Sequence, residues 1–249
     1  MDKAGTSAPS GPPRRVLLKL SGEAFARAGA LGIEPEALLH IASEVGEASR
    51  VGVQLAVVVG GGNMIRGATL AEGGHIQRAT ADYMGMLGTV INALAFREEL
   101  QNLGVDCRVM SALEIPAVAE RFIRSRALRH LDKGRVVILA AGTGNPFFST
   151  DTCAALRATE LDCDVLLKAT KVDGVYSADP ETHADATRYD ELSFTEAITR
   201  NLRIMDQTAL AMCREHKIPV RVFDFRQAGA IRRVVQGEQI GTLVTPDEE

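Results

Sequence analysis

Three basic residues sit at the ends of apolar runs in this 249-residue chain, each next to small residues or a turn. Lys19 lies within Val16–Leu20, just before Ser21-Gly22; Arg66 follows Gly60-Gly61-Gly62; Lys168 follows Val165–Leu167. A further apolar run, Val136–Ala140, opens into a loop of Gly142, Thr143, Gly144, Asn145, Pro146, Phe147, Phe148, Ser149 and Thr150, ending on Asp151. Glycines allow the backbone to come close to a ligand, and a helix that follows offers unpaired N–H groups to an anion. Cations at such tips suit phosphoryl transfer, which depends on positioning and charge neutralisation more than on covalent chemistry by the protein. The pattern therefore points to one ligand with several phosphates, or to two phosphorylated ligands. Each feature also has a plainer reading: exposed cations, ordinary connecting loops, and Asp151 as a helix N-cap.

Two common phosphate motifs are excluded. Gly62–Thr69 has P-loop spacing, but Ala68 stands where that loop needs its lysine. No GxGxxG follows the first strand, which disfavours a dinucleotide-binding Rossmann domain.

The elements that must carry these residues alternate along the chain. Strands are expected at Val16–Leu20, Gln54–Val59, Cys107–Met110, Val136–Ala140, Val165–Leu167, Val220–Phe223 and Thr242–Val244. Helices are expected over Glu36–Arg50, Asp82–Leu103, Arg124–Leu131, Thr152–Leu161, Asp206–His216 and Ile231–Gln236. Such alternation predicts an α/β fold, a mostly parallel sheet with helices on both faces. The ligand then belongs at the strand tips. Lys19 continues a run that reads as buried on both faces, so its ammonium is expected to point into a polar site. Val172–Asp190, with Asp173-Gly174 and Asp179-Pro180, reads as an elaborated loop. Residues 1–14, rich in Pro, Gly and Ser, read as a disordered tail, and 15–249 as a single domain.

Composition narrows the function classes. Aromatics make up 4% with no Trp, and the net charge is −4, which argues against a nucleic-acid binder. No apolar run is long enough to span a bilayer, and the N-terminus has no secretory core, so a cytoplasmic protein without a membrane partner is expected. Cys107, Cys153, Cys163 and Cys213 are scattered, as free core thiols would be, and no metal site is read from the protein's own residues.

Lys19–Gly22 (KLSG), the triple glycine with Asn63 and Arg66, Thr143–Asp151 (TGNPFFSTD) and Lys168–Pro180 (KATKVDGVYSADP) together resemble the bacterial uridylate kinases of the amino acid kinase superfamily. The resemblance runs from about Arg15 to Thr245. It implies a three-layer α-β-α sandwich, with an acceptor-binding lobe near 15–150 and an ATP-binding lobe near 151–249. It also implies ATP-dependent phosphorylation of UMP to UDP in pyrimidine nucleotide biosynthesis, with Mg²⁺ accompanying ATP. On this resemblance Lys19, Leu20, Ser21, Gly22, Gly62 and Arg66 meet the ATP phosphates, and Thr170, Tyr176 and Asp179 its nucleoside end. Gly61, Asp82 and Thr143–Thr150 surround UMP, with Asp82 on the ribose hydroxyls. Lys19, Arg66 and Lys168 balance charge, while Asp151 and Asp206 orient a lysine or Mg²⁺. Members are typically homohexamers activated by GTP and inhibited by UTP. Arg97 and Arg108 match GTP-linked positions, but Gln101 replaces a histidine and Arg27–Gly32 departs from the relatives' loop, which leaves effector control open. The competing readings are a carboxylate kinase of the same fold and a non-catalytic nucleotide or oxyanion binder.

Overall fold

The computed structural model describes residues 14–27, 29–65, 74–180, 182–183 and 185–247. In chain order the strands are β1 (Arg15–Leu20), β2 (Gln54–Val59), β3 (Cys107–Ser111), β4 (Glu120–Arg121), β5 (Val136–Ala140), β6 (Val165–Thr170), β7 (Val175–Tyr176), β8 (Arg188–Tyr189), β9 (Glu191–Ser193), β10 (Val220–Asp224) and β11 (Thr242–Thr245). The helices are α1 (Pro35–Ser49), α2 (Arg78–Asn102), α3 (Arg124–Asp132), α4 (Thr150–Glu160), α5 (Phe194–Thr199), α6 (Gln207–Glu215) and α7 (Ala230–Val235), and a 3-10 turn covers Gly22–Phe25.

Nine strands form one sheet in the order β4-β3-β5-β2-β1-β6-β10-β11-β9. All its pairings are parallel except β10 with β11, so β11 and β9 run against the others. The β7–β8 pair is a separate antiparallel ribbon. The apolar run of β1 is buried because helices cover both of its faces. Val16, Leu18 and Leu20 pack toward α1, α2 and α7, and Leu17 packs toward α3, α4 and α6. Strand parity then sends Lys19 to the same side as Leu17.

This topology places the central tips together. Strands β5, β2, β1 and β6 are adjacent and parallel, so the loops after Ala140, Val59, Leu20 and Thr170 leave one edge of the sheet side by side. That edge is where an open parallel sheet builds its ligand site.

The expected mostly parallel α/β architecture is the observed one. Some boundaries differ for local reasons. Helix α2 starts at Arg78, a turn before Asp82, and its N-cap Gln77 makes no side-chain capping bond, so the sequence carries no start signal there. Val172–Asp190 contains the β7–β8 ribbon rather than loop alone. Strands of two or three residues (β4, β9) and the six-residue α5 are too short to show a period. The N-terminal tail read from the sequence lies outside the described residues, apart from Arg14.

Candidate active site

Lys19 and Lys168 are register partners on β1 and β6, so their side chains leave the same face of the sheet next to each other. Both reach Asp151 in the first turn of α4. Lys19 Nζ lies 2.9 Å from Asp151 Oδ1, and Lys168 Nζ donates to Oδ2 at 2.7 Å. The three side chains are only 10%, 15% and 15% exposed, respectively for Lys19, Lys168 and Asp151. Lys168 Nζ also donates to the Ile204 carbonyl. Asp151 Oδ1 is enclosed, and among the described residues no other hydrogen-bond partner competes with Lys19 for it.

Burial alone would raise the Asp151 carboxyl, but Lys19 and then Lys168 outweigh it and hold the group below its ordinary value. Burial, with help from the Lys19 charge, pushes Lys168 below the usual lysine value against the opposing pull of Asp151 and Asp206. In direct contact, two ammoniums share one carboxylate, with Asp206 acting on Lys168 from further off, so each ammonium is only partly compensated in a place poorly screened by water. Such a centre favours a polyanion.

The N-cap role that Asp151 could have filled belongs to Ser149. Its Oγ accepts from the N–H groups of Asp151 and Thr152 at 3.0 and 3.1 Å. Asp206 acts one step removed. It caps α6 by accepting from Ala209 N–H at 3.0 Å, accepts from Thr152 Oγ1 at 2.9 and 3.0 Å, and takes the Ser149 hydroxyl. Its oxygens contact no lysine ammonium directly among the described residues.

Next to this centre the glycine loops close on one another. A Cβ at Gly22 would lie 2.5 Å from Asn63 Oδ1 and 2.6 Å from Gly62 N, and one at Gly60 would lie 2.6 Å from Gly22 N. Only glycine permits that approach. The Leu20 side chain lies in the core, so Leu20 can offer only backbone, and its carbonyl already accepts Gly60 N–H at 2.8 Å. Ser21 Oγ accepts Glu23 N–H at 3.2 Å.

A cavity of about 190 Å³ adjoins these loops. Its walls include Gly61, Gly62, Asp82, Thr143, Phe148 and Thr150. Asp82 accepts from Arg78 Nε at 2.9 and 3.1 Å and from the Phe147 N–H at 2.9 Å. Phe147 has a φ of +72° and is 70% exposed. It serves the loop through its backbone, whereas Phe148 faces the cavity. Gly144, with φ +82°, packs on Ala112, and Asn145 N–H donates to Thr143 Oγ1 at 3.2 Å. Pro146 follows in the same exposed turn.

A family model described as the amino acid kinase family matches residues 14–224. The chain belongs to the amino acid kinase family. Among solved structures it is similar to UMP kinase from Bacillus anthracis (40% identity, TM-score 0.92, covering 95% of this chain and 98% of that one). It is similar to UMP kinase from Ureaplasma parvum at 34% identity and TM-score 0.88, covering 93% and 98% of the two chains. Uridylate kinase from Archaeoglobus fulgidus is 29% identical, with TM-score 0.71 and coverage of 92% and 99%.

Elsewhere in this amino acid kinase, the residues that the resemblance assigns to the nucleoside end of ATP run from the last residue of β6 onward. Thr170 Oγ1 accepts Val172 N–H at 2.9 Å and donates to the Val172 carbonyl at 2.8 Å, closing the turn. Tyr176 donates to Asp173 at 2.7 Å, and the Asp179 carbonyl accepts the N–H groups of Thr182 and His183. Arg66 lies outside the described residues. The sequence reading did not single out Thr89 and Asn92, two buried polar residues on α2. Asn92 Nδ2 donates to the Gly60 carbonyl at 2.8 Å and to Asn63 Oδ1 at 2.6 Å. The available signal was a pair of polar residues at i, i+3 on the otherwise apolar buried face of this helix.

Proposed function

We propose that this protein is a UMP kinase, transferring the γ-phosphoryl group of MgATP to UMP to form UDP and ADP. The observation that carries the reading is the Lys19–Asp151–Lys168 centre, with Lys19 just before the abutting glycine loops and Asp151 next in sequence to Thr150 in the wall of a small cavity that Asp82 and Phe148 also line. The similarity to UMP kinases over nearly the whole chain supports UMP as the acceptor.

The acceptor phosphate has a second pKa of about 6 and is largely a dianion at neutral pH. Its oxygen attacks the γ-phosphorus as the bond to the β-bridging oxygen breaks, and ADP leaves with the electron pair. No general base is needed, and His40, His75, His130, His183 and His216 are absent from the cavity wall. Lys19 and Lys168 neutralise charge on the transferred group. Asp151 keeps the two ammoniums in place and offsets their mutual repulsion. Asp206 supports them through Ser149 and Thr152, and Arg66 completes the cationic set.

Among the described residues no three His, Cys, Asp or Glu side chains cluster as a metal cage, and the oxygens of Asp151 and Asp206 are engaged by protein donors. On this reading Mg²⁺ enters with ATP, held mainly by phosphate and water, as its coordination chemistry favours.

On the same reading residues 15–150 form the acceptor lobe and 151–249 the ATP lobe of a cytoplasmic enzyme. No helix among the described residues is long and apolar enough to cross a membrane. Self-association, which the resemblance makes a homohexamer, is supported by Tyr83, Leu87 and Ile91, exposed apolar residues at four-residue spacing along α2. Phosphorylated effectors such as GTP or UTP are supported by a separate cleft of about 820 Å³ whose walls include Arg97, Arg108, Arg121, Arg126 and Gln101.

A coupled assay of ADP release with UMP, CMP, N-acetylglutamate or no acceptor tests the reaction. UMP-dependent ADP formation is expected. Turnover with N-acetylglutamate in place of UMP, or none with any acceptor, would refute the assignment.

A further inference from the structure

We propose that Thr89, buried on α2, is a positioning residue for the acceptor site, acting through the backbone corner Ala141–Gly142 at the end of β5. Both corner residues have positive φ, 62° and 55°. The left-handed region crowds the Cβ of an alanine against its own carbonyl, so Ala141 needs an external tie to stay there. The tie is Thr89 Oγ1, which accepts the Ala141 N–H at 2.7 Å.

The direction of that hydroxyl is set from its other side. Thr89 Oγ1 donates to the Met86 carbonyl at 2.7 Å, one turn back along α2. Its proton is therefore used within the helix and a lone pair faces the corner. The methyl branch of Thr89 meets the other loop. A Cβ at Gly61 would lie 3.1 Å from Thr89 Cγ2 and 3.0 Å from Thr89 N. One buried side chain thus sets the spacing between the Gly61 loop and the Gly142–Thr143 loop, which face each other across the 190 Å³ cavity. Thr89 is itself part of the cavity wall, but it is buried and its hydroxyl is already used as donor and acceptor, so it acts on the acceptor through the loop. Asn92 supplies the contrast, since its amide holds Gly60 and Asn63 on the phosphate-loop side and, among the described residues, makes no hydrogen bond to the corner.

The identity of the acceptor rests on the UMP kinase reading; the corner itself does not. The test is steady-state kinetics of Thr89→Val and Thr89→Ser with UMP and ATP varied separately. Valine keeps the shape but leaves the buried Ala141 N–H without its acceptor, so KM for UMP should rise about tenfold. KM for ATP should stay within about twofold, because Asn92 still holds the phosphate loop. Serine keeps Oγ and should restore most of the UMP affinity. The proposal is overturned if Thr89→Val leaves KM for UMP unchanged, if both Michaelis constants rise together, or if serine fails to rescue. Hydrogen exchange of the Ala141 amide in the unsubstituted protein gives a second readout that needs neither a stable variant nor turnover. Exchange as slow as that of the β5 amides is expected, and fast exchange would overturn the tie. A wild-type protein inactive on UMP would instead sink the kinase assignment, with the Ala141 exchange still judging the corner.

Discussion

Replacing Asp151 by Asn removes one negative charge that faces two buried ammoniums. The Lys19 and Lys168 contacts at 2.9 and 2.7 Å share a single carboxylate, and their β-strands are direct neighbours in register. Two ammoniums around one carboxylate lie about 5 Å apart, and at an effective dielectric of about 20 their repulsion is about 3 kcal/mol. Breaking a buried ion pair by removing one partner costs a similar amount, about 3–5 kcal/mol. Asp151→Asn should therefore lose about 3 kcal/mol at pH 7 if both lysines remain charged. The sign of the pH dependence follows from Lys168. Burial already places it below its ordinary value, and loss of Asp151 lowers it further. A lysine whose folded pKa is depressed binds fewer protons folded than unfolded in the window between the two values. Stability then rises with pH across that window. The deficit of the variant should be full below its own further lowered Lys168 value and shrink as pH climbs to the Lys168 value of the unsubstituted protein, itself below the ordinary 10.5, above which both proteins gain alike. Urea denaturation of both proteins at pH 6, 7.5 and 9 measures it, and triphosphate should recover part of the loss by replacing the missing charge. A deficit under about 1 kcal/mol at pH 6, or one that does not shrink with pH, would refute a shared-carboxylate clamp.

Other consequences follow from the same geometry. Lys19→Ala should lower kcat by about 10²–10³-fold, with the circular dichroism spectrum preserved; near-normal turnover would remove Lys19 from the mechanism. Asp82→Ala should weaken UMP binding and leave ATP affinity little changed, while also releasing Arg78 and the Phe147 N–H. An unchanged KM for UMP would end the ribose assignment. All four cysteines are buried, and burial raises their thiols, Cys107 and Cys153 to about 11 and Cys163 and Cys213 to about 12. A thiol reagent should therefore label the native protein slowly at pH 8 and all four sites at once on unfolding. Fast labelling of native protein would contradict their burial.

Much of the architecture is local information and could be read directly. The five-residue apolar runs, their glycine endings and the helical spacing between them each reflect what a short segment must bury, so the parallel sheet and its loaded edge followed from them. Lys19 was legible for the same reason, as a charge inside a run with no exposed face. Helix starts without a capping side chain, as at Gln77, and strands of two residues left no such pattern.

The sequence by itself determined that cations and glycine loops would meet at the tips of a parallel sheet, because periodicity and turn chemistry act within a few residues. Tertiary structure alone decided that Lys19 and Lys168 face each other across one strand pair, that Asp151 bridges them while Ser149 takes the cap, and that Asp206 works through hydroxyls. It also decided that Thr89 holds the Ala141 corner. Those outcomes depend on register and on which helix face meets which loop. Both are set by burying the whole core at once, not by any segment on its own.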